Sequence, residues 1–236
     1  MKAPVRALVR AATALAAVAV LGTVVIGVAH TPWGRPLLRL PLLSALAEQA
    51  GCPVGSIEPA AYEKVQATKL RRELGEQPAH SRPALGFTLG LTQRAEVERW
   101  AKAKGANCSA GFVASVLECQ DVKALGPQER ALPRAQVRLQ FDANERLISV
   151  DLFCDQGDAP ALVGAFIATG QALDEQVGPA TSSVGTPSVA AATSSPFRTL
   201  LRQYNYRDYV ARLTLLNLGK RGLRLREQYS FLPPPA

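Results

Sequence analysis

The stretch "AQVRLQFDANERLISVDLF", residues 135–153, decides the fold. Val137, Leu139 and Phe141 alternate with polar neighbours. "DANE" at 142–145 then supplies a turn, and Ile148, Val150 and Leu152 alternate again, with Cys154 continuing their side. Two short runs with a period of two, joined by turn residues, predict an antiparallel hairpin with one buried face.

Moving towards the N-terminus, "ANCSAGFVASVLECQDV" at 106–122 predicts another hairpin, turning near Gly111. Before it, "LTQRAEVERWAKAKG" at 91–105 reads as a helix. Thr92 is its expected N-cap, Gly105 its stop, and Val97, Trp100 and Ala101 fall on one side. A further helix is expected over "EPAAYEKVQATKLRRELG", 58–75, followed by a linker at 75–83.

Beyond the opening stretch, "DAPALVGAFIATGQALDEQVGP" at 158–179 predicts a helix. Asp158 suits its cap, Pro160 its first turn and Gly178-Pro179 its end. Leu162, Val163, Phe166, Leu173 and Val177 form the apolar stripe. The Ser/Thr/Ala-rich run 180–196 reads as a flexible connection. Strands are expected near 197–204, 207–216 and 222–231. In the last, Leu223, Leu225, Tyr229 and Phe231 oppose Arg224, Arg226 and Gln228.

The expected fold class is therefore α+β. An N-terminal transmembrane helix precedes two helix-plus-antiparallel-strand repeats, with the helices packed on one face of the sheet. The expected domains are an anchor or signal segment at 1–32, juxtamembrane helices and linker at 33–82, a first α+β repeat at 83–156 and a second at 157–236.

Location comes from the N-terminus. Three positive charges (Lys2, Arg6, Arg10) precede "AATALAAVAVLGTVVIGVA", residues 11–29. As a helix these nineteen residues would span about 28 Å, close to the ~30 Å hydrocarbon core. The positive-inside rule keeps the tip in the cytoplasm and exports the rest. The expectation is a single-pass inner-membrane protein with its C-terminal domain in the periplasm. The alternative is secretion after cleavage near Ala29, where Gly27-x-Ala29 makes a small-x-small site.

Export bears on the four cysteines, Cys52, Cys108, Cys119 and Cys154. Four allow three connectivities, and an oxidising compartment favours bridges over buried thiols. The favoured pairs are Cys108–Cys119 across the hairpin and Cys52–Cys154 from linker to domain. With no C-x-x-C and no histidine near them, zinc binding is not expected.

The chain has 236 residues, 47% hydrophobic, with a net charge of +8. The Lys and Arg residues are scattered, so they read as a solvated basic surface and no nucleic-acid partner is expected. No nucleophile elbow or phosphate loop is present, and "GKRG" at 219–222 lacks the required spacing. Neither a catalytic site nor a cofactor or metal is expected. The candidate binding surface is the aromatic and basic set Tyr204, Tyr206, Arg207, Tyr209 and Arg212, because Tyr and Arg anchor interfaces.

"LGLTQRAEVERW" at 89–100 and "LQFDANERLISV" at 139–150 resemble the helix start and hairpin of the SmpA/OmlA family. These are small lipoproteins of the outer-membrane barrel assembly machine. The layout is also similar to the tandem fold of β-lactamase inhibitory proteins. The resemblance departs in detail: Leu91 stands where the family has Met, Asn144-Glu145 replace its turn Gly, and "QAGC" at 49–52 is a poor lipobox. It implies a non-enzymatic protein-binding module with an envelope protein as partner. Two other readings stay open: an envelope enzyme with no recognisable motif, and a peripheral lipid-contacting protein using Arg35, Arg39 and the Leu-rich segment after them.

Overall fold

The computed structural model describes residues 59–111, 113–122, 135–155 and 157–232. The chain divides into two units, Met1–Tyr62 and Glu63–Ala236, and the fold below is that of the second. The expected anchor at 11–29, the juxtamembrane segment 33–58 and Cys52 lie outside the described residues.

Helix α1 (Pro59–Arg71) precedes a small two-stranded sheet, β1 (Pro83–Ala84) and β2 (Phe87–Thr88). Helix α2 (Arg94–Ala103) leads into β3 (Asn107–Ala110), β4 (Val116–Gln120), β5 (Ala135–Phe141) and β6 (Leu147–Asp155). The long helix α3 (Ala159–Val177) is followed by β7 (Ser182–Val184) and the short α4 (Val189–Thr193). Strands β8 (Thr199–Asn205), β9 (Tyr209–Asn217) and β10 (Leu223–Phe231) complete the described fold.

All eight longer strands join one antiparallel sheet in the order β3-β4-β5-β6-β10-β9-β8-β7. Each neighbouring set, β3 to β6 and β7 to β10, is a meander of consecutive strands. The two meanders meet through their last members, with Cys154 opposite Leu225 and Val150 opposite Tyr229.

This architecture corrects the expected fold class. The protein is mostly one antiparallel sheet of eight strands with few helices, rather than an α+β pair of repeats with helices on one face. Two observations explain the difference. Strand pairing between β6 and β10 merges everything into a continuous sheet, which local periodicity does not encode. Second, α1 does not share a side with α2 and α3. Its Gln66, Lys69 and Leu70 border the same groove as Gln228 and Ser230, whose side chains leave the opposite face of β10. The anchor formed part of the same expectation. Among the described residues no helix is long and apolar enough to cross a membrane.

Local elements follow the local chemistry. The opening stretch forms β5 and β6, with Val137, Leu139 and Phe141 at most 2% exposed. At its turn, the Asp142 carboxylate accepts from the backbone N–H groups of Asn144 and Arg146, both at 2.9 Å, and from the Arg146 guanidinium. Glu145 takes the left-handed position of the turn at φ 60°. Gln93, rather than Thr92, is the N-cap of α2, and its N–H donates to Glu96. The Thr92 hydroxyl instead accepts from the N–H of Thr88. The run 180–196, expected to be flexible, contains β7 and α4, the latter capped by the Ser188 hydroxyl.

The core is one cluster between the sheet and helices α2 and α3. α2 contributes Val97 and Ala101; α3 contributes its predicted stripe of Leu162, Val163, Phe166, Leu173 and Val177. Gly170 in mid-helix leaves room for Arg202 of β8, since a Cβ there would lie 2.5 Å from Nη1. The disulfide Cys108–Cys119 joins β3 to β4 at directly opposed positions.

Candidate functional site

The two faces of the sheet carry different polar chemistry. On the helix-covered face Glu227 is 0% exposed, opposite Leu152 of β6 and Leu213 of β9. Its carboxylate accepts from the Tyr229 hydroxyl at 2.8 Å and lies 3.0 Å from the Thr169 hydroxyl of α3. Burying a polar group is costly unless it is hydrogen-bonded, and these contacts answer that demand. Nearby, Asp174 of α3 receives both Arg202, at 2.6 and 2.9 Å, and the Tyr204 hydroxyl at 2.9 Å. A small cleft of about 200 Å³ lies above, where Thr169, Gln176 and Tyr229 meet Ser81 and Thr88.

These groups act as ties. The hydroxyl of Tyr209 donates to the carbonyl of Pro83 at 2.6 Å, and that of Tyr206 to the carbonyl of Val177. Burial raises the phenol pKa of Tyr204, Tyr206 and Tyr209 above the ordinary value. All three hydroxyls therefore stay protonated donors. Burial likewise pushes the thiol of Cys154, 0% exposed on β6, up to about 11.

The other face is a field of guanidinium–carboxylate pairs. Glu118, Arg138, Asp151, Gln228 and Arg212 stand in one row across β4, β5, β6, β10 and β9. Arg138 reaches Glu118 at 2.9 Å, and Arg212 reaches Glu73, beyond α1, at 3.0 Å. Arg226 grips Asp151 through two bonds of 2.6 and 2.9 Å and lies 4.6 Å over the ring of Phe153. Arg224 grips Asp155 in the same two-pronged way, at 2.5 and 2.7 Å. Between α1 and the sheet a groove of about 540 Å³ is bordered by Gln140, Ser149, Arg226 and Ser230.

The chemistry of such an array is of the kind that can hold a partner. Bidentate pairs hold each guanidinium plane in a fixed orientation, and each Arg keeps donors beyond those its carboxylate uses. Stacking on Phe153 leaves the outer face of the Arg226 plane for an aromatic or carbonyl partner. Among the described residues, no group of three His, Cys, Asp or Glu is placed to hold a metal ion.

The proposed surface residues do not form one face. Tyr204 and Tyr209 are buried on the covered side, and Tyr206 is half-buried. Arg207 is exposed beyond the end of β8, and Arg212 is on the open face paired with Glu73. Cys108 and Cys119 are bridged; Cys154 is in the core.

The open-face pairs escaped the sequence reading although their signal was present. The alternation that turns Val150 and Leu152 inward turns Asp151, Phe153 and Asp155 outward. Arg224 and Arg226 likewise stand opposite Leu225 on β10. What was missing was the pairing of β6 with β10. Comparison with protein-family models, curated proteins and solved structures gave no significant match.

Proposed function

We propose that the chain is a non-enzymatic, inner-membrane-anchored periplasmic protein that binds an envelope protein through the open face of its sheet. The observation that carries this reading is the fixed Arg226–Asp151 pair with its Phe153 stack, set in a field of like pairs. Exposed ion pairs contribute ~0–1 kcal/mol each to stability. Oriented Arg and aromatic side chains do much more at interfaces. The anchor rests on the apolar run 11–29 behind its basic tip. The partner class rests on the resemblance of 89–100 and 139–150 to the SmpA/OmlA family, which makes a role in envelope assembly the working context.

The test uses the full chain in cells. A photoreactive side chain placed at Gln228 or Thr214, both on the open face, should give a discrete crosslinked species. The same group at Gln171, exposed on α3, should not. Arg226→Ala should abolish the Gln228 product. Equal crosslinking from both sides of the sheet, or none from Gln228 and Thr214, rejects the reading.

A further inference from the structure

One aromatic side chain projects from the fold into solvent. Phe197 is 77% exposed, and its φ of 63° lies in the left-handed region that a bulky side chain avoids. Holding an apolar ring in water on a strained backbone is unfavourable twice over, and such outliers concentrate where function requires them.

The strain is held in place by one residue. Asn217, 8% exposed at the end of β9, receives the N–H of Phe197 on its carbonyl at 2.8 Å and donates its own N–H to Arg198 at 2.9 Å. Its side chain donates to the carbonyl of Ser195 at 3.0 Å and accepts the N–H of Gly219 at 2.9 Å. Two turns, residues 195–198 and 218–222, are thereby locked side by side. A Cβ on Gly219 would lie 3.7 Å from Pro196.

The turns bring Phe197 to the same end of the sheet as three cations. Arg198, Lys220 and Arg221 are all exposed, and among the described residues none is in an ion pair. A surface hollow of about 570 Å³ adjoins them, lined by Lys220, Arg221 and Arg224, with Asp155 engaged by Arg224. Val184, 51% exposed, lies on the neighbouring edge strand.

We propose that this two-turn tip docks on an anionic phospholipid bilayer, Phe197 entering the headgroup–acyl boundary while Arg198, Lys220 and Arg221 pair with headgroup phosphates. A projecting ring on the same pair of turns as three cations is the chemistry of interfacial membrane contact. The edge strand beside it, β7, has three residues, too few to template an added strand from a protein partner. The hollow beside Lys220 and Arg221 is lined by three cations, Asp155 and the leucines Leu218 and Leu223, and its net positive charge suits a phosphate. The inference rests on the membrane-tethered reading only in that a tether raises the local concentration of bilayer.

Hydrogen exchange of the full chain in lipid nanodiscs tests it. Peptides covering 194–200 and 218–223 should exchange roughly threefold more slowly in phosphatidylcholine/phosphatidylglycerol discs than in phosphatidylcholine alone. Phe197→Gly should remove that protection while raising the melting temperature, which shows that the fold survives. Lys220→Glu with Arg221→Glu should remove it as well. Anchoring is read separately, as co-elution with the disc. A chain that does not insert is assayed by flotation with the same two lipid mixtures, and floating only with phosphatidylglycerol, and only with Phe197 present, supports the tip. Equal protection in both lipids, or none in either, overturns the proposal. So does the same protection from soluble inorganic phosphate or polyglutamate in phosphatidylcholine discs.

Discussion

Along β10, Leu223, Leu225 and Tyr229 are 4% exposed or less, while the side chains of Arg224 and Arg226 between them are 39% and 38% exposed. One strand thus serves two environments. The covered face is closed by apolar packing and by hydroxyls that reach specific acceptors on α3 and near β1. The open face carries charge pairs, which water already satisfies, beside the groove that α1 borders. Stability therefore belongs to the first face, and the proposed recognition to the second, and substitutions should separate them.

The largest effect is expected in the core. Leu213→Ala removes a 0% exposed side chain beside Glu227 and should destabilise the protein by about 2–5 kcal/mol, read as a lowered denaturant midpoint. A loss below ~1 kcal/mol would mean that the covered face is loosely packed and differs little from the open one.

Next comes the edge of that face, where Cys119 is 1% exposed and bridged to Cys108. Replacing both with serine opens a short loop and should cost about 2–3 kcal/mol in the chain-entropy account. Thermal unfolding with and without reductant measures it. Crosslinking from Gln228 should survive at low temperature, because the bridge is remote from the open-face pairs on β6 and β10.

A smaller effect is expected at the β5–β6 turn. Burial pushes the Asp142 carboxyl up, but hydrogen bonds from Arg146 and Asn144 outweigh it and leave the pKa below the ordinary carboxylate value. A lowered folded pKa stabilises above the unfolded value and loses that contribution as pH falls through the folded one. Asp142→Asn should therefore cost about 1 kcal/mol at neutral pH. The two proteins should converge in acid, below the depressed value. An unchanged gap across a urea titration series in pH would contradict that assignment.

The smallest stability effect belongs to the open face. Arg226→Ala should change the unfolding free energy by less than ~1 kcal/mol, despite breaking a two-pronged pair. A loss of several kcal/mol would make the pair a structural element and undercut its reading as a binding group.

The sequence disclosed these faces unevenly. Alternation at 135–153 and 222–231 set which side chains share a side, except at Ile148, which borders the open-face groove while Leu147 enters the core beside the register shift at Gln140/Phe141. The helix stripes named the core of α3. Pairing between β6 and β10 lay beyond that reading, because Arg226 and Asp151 are 75 positions apart. The tyrosines misled for a related reason. Tyr204 and Tyr209 look like surface anchors until Gly170, Asp174 and Pro83 supply acceptors for their hydroxyls. Phe197 gave no local signal, since its left-handed backbone is imposed by Asn217 and not by a glycine. Residues 182–184 lack apolar alternation, and they pair only because β8 offers its edge.

The strand order also dictates when the molecule can form. Its central strand, β10, is the last of the eight to be synthesised, so neither meander can close on its partner until residue 231 is available. Before then β6 and β9 are open edges, each nine residues long and lined on one side with apolar groups. Such edges invite pairing with other chains. Docking strands so distant in sequence is also slow, because the loop must close before the contacts reward it. A chain that crossed a membrane unfolded would meet that interval in full, with both edges open to pairing until β10 arrives.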